Sequence, residues 1–450
     1  MNNDESEYSG YNRRDFLKDG SVATLMAMLG GVELIAQTNE TGKTVDPPKT
    51  TTVAVIGLGA WGREIANALH LITSAELAGF CDVYETGLNR VAKDFPNVFK
   101  TKNYQEILSK PEIKTVIVAT PTHLHKDIVI AALKAGKHVY CEMPLAHTIE
   151  DARAIAEAAK AAPQLIFQAG LQLRSDEGRH YALKFLRTGA IGKPIMARGQ
   201  WHTKHSWRAA APTAEREKAL NWRLDKNVSL GLIGEIGSQQ IDQTSWFLRE
   251  LPVAITGFGN VMFHQDGREV PDTVQAVVEY PGGVRLSYDA TLANSFDAAY
   301  EIYYGSDAAL MVRDNREWLF QEVDCPQMGW EVYARKESFY NASGIVLAAN
   351  ASKLVVKAKP GEKVATRTPL SFALENFLKN TVDFDTLLAL AADAIKDGSM
   401  TFKDVLAQIE KRPVAGFLEG LQATLVAIKA HEAVIGGKRV EMNPKLYELG

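Results

Sequence analysis

Apolar runs and helical periods alternate along the first half of the chain. Residues 53–56 form a β-branched apolar run typical of a buried strand, and apolar residues recur at helical spacing over residues 65–72. Further strands are predicted at 77–81, 115–119, 138–141 and 165–169, with helices at 126–135 and 149–162. This alternation predicts an α/β fold with a doubly wound parallel sheet, whose strand-end loops line a ligand crevice.

The pattern changes in the second half. Residues 252–319 carry short alternating apolar runs separated by Gly, Pro and Asp-Asn turns, which predict an antiparallel sheet with hairpins. Helical periods return over residues 368–411 and 416–434, and we expect the second of these helices to pack back on the core.

Composition and charge narrow the function classes. The 450 residues are 46% hydrophobic and 23% charged, which excludes wholesale disorder. Fifty basic and 54 acidic residues give a net charge of -4 without long single-sign blocks, so no nucleic-acid partner is expected. Cys81, Cys141 and Cys325 have no CxxC spacing, which excludes a disulfide framework. The first two fall in predicted strands as buried thiols.

The N-terminal segment is typical of an export signal. Residues 11–18 are Tyr-Asn-Arg-Arg-Asp-Phe-Leu-Lys, and they precede a weakly apolar stretch, 21–36, too short to span a bilayer. The segment resembles the twin-arginine (Tat) signal, with Asn12 replacing the usual hydroxyl residue. The resemblance implies the Tat translocase as a partner and a periplasmic or otherwise exported protein, with cleavage left open. The other interpretation is an ordinary amphipathic helix.

A glycine-rich turn follows the first predicted strand. Gly57-Leu58-Gly59-Ala60-Trp61-Gly62 stands between a strand and a helix, the context that a dinucleotide site requires. The glycines permit a tight turn and close approach of a pyrophosphate, and the helix N-terminus offers amide donors. Asp82 ends the next strand, where a carboxylate accepts the adenosine ribose hydroxyls and disfavours a 2′-phosphate. The sequence therefore predicts NAD.

Two further loops carry a family resemblance. Residues 119–125 are Ala-Thr-Pro-Thr-His-Leu-His, and residues 135–146 are Ala-Gly-Lys-His-Val-Tyr-Cys-Glu-Met-Pro-Leu-Ala. Together with the glycine turn they resemble the Gfo/Idh/MocA oxidoreductases, over nearly everything after residue 50. The resemblance implies a Rossmann domain and a C-terminal α/β domain whose open, mostly antiparallel sheet carries a sugar site and often an oligomer interface. A carbohydrate substrate and a homodimer or homotetramer are expected.

The predicted domain organisation is a signal and linker at 1–49, a Rossmann domain at 50–172 and a C-terminal domain at 173–450. The C-terminal domain is predicted to be mainly helical over 366–440.

The resemblance also implies cofactor contacts. The positions that match contacts to the nicotinamide half, or follow them in the same loop, are Thr120, Pro121, His125, Glu142 and Met143. Trp222 and Arg223 match a Trp-Arg pair that reaches the cofactor in several members; an indole can cover the ring, and a guanidinium can donate several hydrogen bonds. His125 has a second interpretation, as a helix-start residue that is satisfied locally.

The chain departs from the family at two catalytic positions. The usual Glu-Lys-Pro is Glu142-Met143-Pro144, so a thioether replaces the amine that assists proton transfer. The segment that is typically Asp-x-Gly-x-His-x-x-Asp is Glu235-Ile236-Gly237-Ser238-Gln239-Gln240-Ile241-Asp242. Gln239 stands where the usual base is found, and its amide can hold a substrate but cannot take a proton.

Glu235 becomes the first candidate base, because partial burial near an apolar nicotinamide pocket raises the pKa of a carboxyl group. The other interpretation is a carboxylate that only orients its neighbours. Gln172 and Arg174 follow the last Rossmann strand and are expected to point into the same crevice.

A polar-aromatic cluster at 201–208 offers a second source of a base. His202 or His205 can titrate near neutrality, and Lys204 and Trp207 suit a sugar, whose C–H faces pack on aromatic rings. Two histidines near Glu235 also raise the question of a metal, but no Cys/His framework supports one and none is predicted.

Three functions remain open. The leading hypothesis is an exported NAD-dependent oxidoreductase that acts on a secondary hydroxyl of a sugar or glycoside. The second is a redox-neutral NAD-dependent glycosidase, which oxidises the sugar, eliminates the glycosidic bond and returns the hydride; the absent lysine at Met143 favours it. The third is a catalytically altered sugar- or NAD-binding protein, since neither Met143 nor Gln239 can exchange a proton.

Overall fold

The computed structural model describes residues 50–326, 335–339, 342–347, 367–408 and 411–449. The twin-arginine segment predicted at residues 1–49 lies outside them. Within the described ranges, the strands form one sheet of six and one of ten. No helix in these ranges is long and apolar enough to cross a membrane.

The first sheet is parallel. Its strands are β1 (Thr51–Ile56), β2 (Ala75–Cys81), β3 (Phe99–Thr101), β4 (Thr115–Val118), β5 (His138–Cys141) and β6 (Phe167–Ala169). The helices on its faces include α1 (Ala60–His70), α2 (Glu85–Asp94), α3 (Tyr104–Leu108), α4 (His125–Lys134) and α5 (Ile149–Lys160). The strand order is β3-β2-β1-β4-β5-β6, and the reversal between β1 and β4 opens a crevice at their carboxyl ends. The predicted doubly wound sheet is confirmed.

The second sheet is mostly antiparallel. Its strands are β7 (Pro194–His202), β8 (Ala254–Asn260), β9 (Thr273–Glu279), β10 (Arg285–Thr291), β11 (Ala299–Gly305), β12 (Ala308–Arg313), β13 (Arg316–Gln321), β14 (Lys336–Phe339), β15 (Ala342–Leu347) and β16 (Arg439–Glu441). The order is β14-β15-β13-β12-β11-β7-β10-β9-β8-β16, and β7 pairs with β10 in parallel. Asp314 and Asn315 make the β12–β13 turn at φ of 51° and 56°, so the predicted turn there is confirmed.

The helices of the C-terminal region are α6 (Glu177–Arg187), α7 (Ala214–Leu220), α8 (Gly231–Glu235), α9 (Gly237–Leu248), α10 (Pro369–Leu390), α11 (Ala392–Lys396), α12 (Phe402–Ala407) and α13 (Phe417–Gly436).

The two faces of the second sheet differ. Gln240 of α9 donates to the Gln200 carbonyl oxygen and to Glu301, so α9 covers the inner face. On the outer face, Tyr300, Met311 and Trp318 form a separate apolar cluster. Met196, Phe258 and Val277 are exposed large apolar side chains of the same sheet. The inner face therefore closes the core and positions α9, whereas among the described residues of the outer face Met196, Phe258 and Val277 are exposed and Tyr300, Met311 and Trp318 are buried.

Helix α10 packs on the first sheet. Its apolar side chains, including Leu370, Leu374 and Phe377, share one core with Val53 and Tyr140. The predicted boundary at residue 172 assigned this helix to the C-terminal domain. In the structure it completes the Rossmann core, because its apolar residues recur at helical spacing and cover the sheet face beside α1.

Helix α13 ties the two sheets together. The hydroxyl of Thr424 accepts a hydrogen bond from the Leu145 N–H at 2.9 Å, and Val434 lies against Gly257 of β8. The helix predicted at 416–434 is thus confirmed as a core element. Cys81 and Cys141 are buried, as predicted, and burial raises the pKa of the Cys81 thiol to about 12.

Candidate functional site

The turn at residues 57–62 requires glycine at the positions where neighbouring backbone segments come close. Gly57 has a φ of +98°, and a Cβ there would lie 2.6 Å from the Ala119 carbonyl oxygen. A Cβ on Gly62 would lie 1.9 Å from the carbonyl oxygen of Gly57, so only glycine lets α1 pack on β1. A Cβ on Gly59, by contrast, would meet nothing within 4 Å. The turn is therefore tight against the protein on one side and open at Gly59.

Asp82 joins the end of β2 to this turn. One carboxylate oxygen accepts the Leu58 N–H at 2.7 Å, and the other accepts the Tyr84 N–H at 2.7 Å. Each oxygen keeps acceptor capacity beyond its one amide. The carboxylate is thus fixed by backbone donors beside the turn, at the strand end predicted for it.

His125 joins the two loops of the family resemblance. Its two ring nitrogens lie 2.9 Å from the Thr120 carbonyl oxygen and 3.1 Å from the Pro144 carbonyl oxygen. Burial lowers the pKa of His125 to about 4, and its contacts with the backbone carbonyls oppose that fall. The side chain is only 1% exposed. His125 therefore positions both loops, in line with the local interpretation.

Glu142 and Gln239 meet at Gly170. A Cβ on Gly170 would lie 2.8 Å from Glu142 Oε2, and Gln239 donates to the Gly170 carbonyl oxygen at 2.8 Å. Burial raises the pKa of Glu142 to about 7, and a hydrogen bond from the Trp61 side chain opposes that rise. Within the described ranges, Glu142 Oε1, Gln239 Oε1 and Thr120 Oγ1 are buried without hydrogen-bond partners. Three polar atoms in this region are therefore available to a ligand.

Met143 is 8% exposed and belongs to the apolar core. The position that carries a lysine in the family thus adds no titratable group to this region.

Glu235 lies at the junction of the two domains. Its carboxylate accepts the Thr122 hydroxyl at 3.2 Å and the Leu230 N–H at 3.3 Å. The Arg223 guanidinium lies 4.0 Å away, and the Glu235 side chain is 3% exposed. Burial raises the pKa of Glu235, and the positive charge of Arg223 opposes that rise. Glu235 ends α8, and α9 begins at Gly237, so the helix break fixes where this carboxylate lies.

Trp222 and Arg223 stand beside Glu235. The Arg223 guanidinium lies 4.5 Å from the Trp222 ring centroid and 5.9 Å from that of Trp207. Trp207 adopts a φ of 62° within the polar-aromatic cluster. The structure therefore brings Trp207 to the predicted Trp-Arg pair and, through Arg223, to Glu235.

Sequence reasoning missed two histidines here. The His123 ring lies 6.1 Å from that of His147 and 6.1 Å from that of Trp222. Burial lowers the pKa of both imidazoles, and in the described chain neither Nδ1 atom has a hydrogen-bond partner. His123 lies within the loop that was recognised and His147 directly after the second one. Their proximity was the missing signal, and it appears only once both loops are folded.

The structure places His202 elsewhere. Its Nε2 lies 2.5 Å from Asp289, which also pairs with Arg198, and Arg198 lies over the ring of Tyr300. Because side chains alternate along a strand, His202 shares the outer face with these residues, opposite the face covered by α9. The expectation that His202 acts as a base beside Glu235 is therefore corrected.

His205 and Lys204 also point to other partners. His205 Nδ1 accepts the Trp207 N–H at 3.0 Å, and the Lys204 ammonium lies 5.2 Å from the Phe263 ring centroid. Neither contact involves Glu235. Within the loop after β7, Trp207 is the predicted residue that reaches Arg223.

Arg174 is committed to an ion pair. Its guanidinium makes two hydrogen bonds to Asp242, at 2.8 and 2.9 Å, and burial raises the pKa of that carboxyl against the effect of Arg174. Gln172 lies on the same 3-10 turn, Gln172–Ser175. Arg174 therefore anchors the C-terminal end of the Glu235–Asp242 segment, and the substrate contact predicted for it stays a prediction.

No three His, Cys, Asp or Glu side chains in the described ranges are arranged to hold a metal ion.

Comparison with known proteins identifies the family. The oxidoreductase-family model with the NAD-binding Rossmann fold matches residues 51–170, and the GFO/IDH/MocA C-terminal domain model matches residues 180–310. Together they match more than half of the chain. The protein belongs to the GFO/IDH/MocA family. The resemblance inferred from the two loops is confirmed, and residues 51–170 are the NAD-binding fold of this family.

Named relatives of this GFO/IDH/MocA chain act on sugars. A levoglucosan dehydrogenase from Pseudarthrobacter phenanthrenivorans is 33% identical over 151 residues, 33% of this chain and 37% of the relative. A 2,7-anhydro-N-acetylneuraminate hydratase from Escherichia coli is 29% identical over 263 residues, 57% of this chain and 66% of the relative. The matched segments thus span less than two thirds of either relative.

Solved structures share the fold. Levoglucosan dehydrogenase in complex with NADH and levoglucosan has a TM-score of 0.65 at 19% identity, over 88% of this chain and 100% of that one. An oxidoreductase domain protein from Kribbella flavida has a TM-score of 0.64 at 21% identity, with the same coverage. These likenesses support the two-domain α/β architecture.

The residues present fit NAD. The N-terminus of α1 has no side-chain cap, so its amide groups are free to bind a diphosphate across the open space at Gly59. Asp82 would hold the adenosine ribose. Thr120 and Glu142 would offer their buried, unpaired oxygens to the nicotinamide half, with Pro121 and Trp222 in the adjoining loops.

Proposed function

We propose that this protein is an NAD-dependent oxidoreductase acting on a secondary hydroxyl of a sugar or glycoside. The observation that carries the proposal is the buried Glu235 carboxylate between the domains, beside Thr122 and Arg223. A carboxyl group with a raised pKa in such a place is suited to accept a hydroxyl proton near neutral pH. The sugar dehydrogenases among the relatives support the substrate class.

NAD, when bound, supplies the acceptor for the hydride that leaves the carbinol carbon. The chain has to supply binding, orientation and a proton acceptor. Gln239 holds its amide against Gly170 and leaves Oε1 to accept a sugar hydroxyl. Trp207 offers a ring face to sugar C–H groups beside Arg223.

Glu235 then takes the hydroxyl proton, either directly or through the Thr122 hydroxyl that it already accepts. Arg223, 4.0 Å away, stabilises the carboxylate form before the transfer and is partly exposed, so it can also contact the substrate. In this arrangement Glu235 takes over the base function that Gln239 cannot provide.

The test is the stoichiometry of cofactor reduction. The full chain would be supplied with excess NAD and a panel of free sugars and glycosides, and reduced nicotinamide would be counted per molecule of substrate converted. A ratio near one supports the proposal. Conversion without net reduced cofactor supports the alternative, and retained NAD binding without any conversion supports a binding protein.

A redox-neutral NAD-dependent glycosidase is the alternative. Met143 favours it, because the buried thioether replaces the usual proton-transferring amine. A relative named as a hydratase also fits, since hydration causes no net oxidation. In this route C3 is oxidised by hydride transfer to NAD, the acidified C2 proton and the aglycone are eliminated, water adds at C1 as a solvent proton returns to C2, and the hydride returns to C3. Solvent deuterium at C2 of the released sugar would support it, and unlabelled product would exclude it.

Export by the Tat translocase is part of the proposal. A homo-oligomer that covers the exposed apolar residues on the outer face of the second sheet is a separate part of it. The paired arginines at 13 and 14 support export, and the exposed Met196, Phe258 and Val277 support a covered face. Replacing both arginines by lysine should leave the protein in the cytoplasm of a Tat-competent host. Unchanged export would contradict the assignment. Sedimentation would give the oligomeric state.

A further inference from the structure

A closed loop, residues 209–221, projects from the C-terminal domain beside the cleft. Asn221 closes its neck: Oδ1 accepts the Ala209 N–H at 2.8 Å, and Nδ2 donates to the Ala209 carbonyl oxygen at 2.8 Å. The loop contains α7, none of whose residues is buried. A seven-residue helix is too short to be stable alone, so its neck and side-chain contacts hold it.

Arg208 fixes the direction of the loop. Its guanidinium donates to Glu217 of α7 at 2.6 Å and to the Asp266 carbonyl oxygen at 2.8 Å. The loop is therefore tied to the C-terminal domain at its neck and along α7. Directly after the neck come Trp222 and Arg223, which lie beside Glu235.

The far side of the loop reaches the Rossmann domain. The Arg216 guanidinium lies 3.9 Å from the Tyr84 ring centroid, a close cation–π contact between the domains. The Tyr84 N–H in turn donates to Asp82, the carboxylate at the predicted ribose position. Arg216 thus stands next to the adenosine end of the cleft, while the neck of the same loop stands next to the other end.

Arg216 also has an unused donor. Arg216 as a whole is half-buried, but its Nε atom is shielded from solvent. No residue in the described part of the chain accepts the hydrogen of that Nε. A buried N–H without an acceptor is unfavourable, so such a group is usually satisfied by a ligand or an ordered water. The ribose and diphosphate oxygens of a dinucleotide are acceptors, and an arginine recognises them well.

We propose that Arg216 is a cofactor-binding residue contributed by the C-terminal domain, which binds the adenosine half of NAD while stacked on Tyr84. Loop 209–221 then spans the dinucleotide from its adenosine end to Trp222 and Arg223 and slows its dissociation. The inference depends on the NAD-binding fold and not on which sugar reacts.

The experiment compares ligand affinities of Arg216→Ala and wild type in the full chain. Titration calorimetry would use NAD, ADP-ribose and nicotinamide mononucleotide, and displacement kinetics would give the NAD dissociation rate. Lys218→Ala is the matched control, because it removes the same charge from an exposed position of the same helix. Apo-protein melting temperatures check that each variant is folded.

Arg216→Ala should weaken NAD and ADP-ribose by about ten- to hundred-fold, the size expected for a lost charge-assisted hydrogen bond, and leave nicotinamide mononucleotide unchanged. Lys218→Ala should change each affinity less than twofold. Equal weakening of all three ligands, or unchanged NAD affinity, would overturn the proposal. Arg216→Lys keeps the charge without the planar stack and should restore only part of the NAD affinity; full restoration would also contradict the stacked geometry.

Discussion

At the diphosphate end of the cleft the backbone makes the site, whereas at the sugar end side chains from two domains make it. Gly57, Gly62 and the uncapped start of α1 lie within one short segment. Thr122 and Glu235 are 113 residues apart and meet only through the docking of α8 on the Rossmann loops. The first site needs a local shape, and the second needs the whole fold.

The difference explains where this chain can vary. The glycine turn tolerates little change, because a Cβ at Gly57 or Gly62 would meet backbone atoms and a Cβ at Gly59 would enter the space open to the cofactor. At the sugar end, Met143 stands where the family has a lysine and Gln239 where it has a histidine. The fold still brings Glu235, Arg223 and the imidazoles of His123 and His147 together there. Variation in chemistry is thus expected at the domain junction.

The largest effect tests the backbone end. Gly62→Ala places a Cβ 1.9 Å from the Gly57 carbonyl oxygen and should lower the free energy of unfolding by about 3 kcal/mol, with loss of NAD binding. Gly59→Ala meets no protein atom within 4 Å, so it should keep the stability and weaken NAD about tenfold. Thermal melts and NAD titrations measure both. Equal loss of stability in the two variants would contradict the division between packing and binding.

The second prediction concerns Glu317, a core carboxyl group beside Asp176 and Arg179 whose pKa burial raises to about 7. Since the folded pKa of Glu317 exceeds its unfolded value, its contribution to stability is present at pH 4.5 and is lost as pH rises toward 7. Glu317→Gln removes this dependence. It should stabilise the protein at pH 8 by an amount on the order of 3 kcal/mol and change little at pH 4.5.

Melting curves at the two pH values check the Glu317 prediction. NAD affinity serves as the control, because Glu317 lies on β13 of the second sheet beside Asp176 and Arg179 and not in the Rossmann domain, so its substitution should leave that affinity within twofold. A loss of stability at both pH values would contradict the burial of this carboxyl as the source of the pH dependence.

The smallest expected effect concerns the outer face of the second sheet. His202→Ala breaks the contact with Asp289 on that face and should leave kcat within about twofold, since this face lies opposite the one that α9 covers. Asp289→Asn is the matched variant, because it weakens the same contact from the other partner. A hundredfold fall in kcat for His202→Ala alone would return this histidine to the list of candidate bases.

Sequence reasoning succeeded where the signal is local. The glycine spacing, the strand that ends at Asp82 and the apolar runs of β1, β4 and β5 predicted the Rossmann domain, because two-sided burial leaves a continuous apolar pattern. Sequence reasoning could not assign α10 to the Rossmann domain, because the apolar face of a helix does not indicate which sheet the helix packs on. It grouped His202 with Trp207 as sequence neighbours, although strand alternation and a loop separate them in space.

The candidate site shows the same limit. His125 and Arg174 are predicted to contact ligands because of the loops in which they lie, and those contacts stay predictions; what the loops could not predict is that His125 joins two of them and that Arg174 pairs with Asp242. His123 and His147 were passed over because each is unremarkable alone. A residue's segment can be predicted from its motif, but its partner depends on contacts between distant segments.

The most direct test of the central claim is a single-turnover measurement on Glu235→Gln, with Thr122→Val as a companion that removes the hydroxyl next to the carboxylate. Enzyme in excess over a reacting sugar would be mixed with NAD, and reduced nicotinamide would be followed by absorbance. If Glu235 accepts the proton, its substitution should slow hydride transfer by about 100-fold or more while NAD affinity stays within twofold. A rate within threefold of wild type would contradict the assignment of Glu235 as the base.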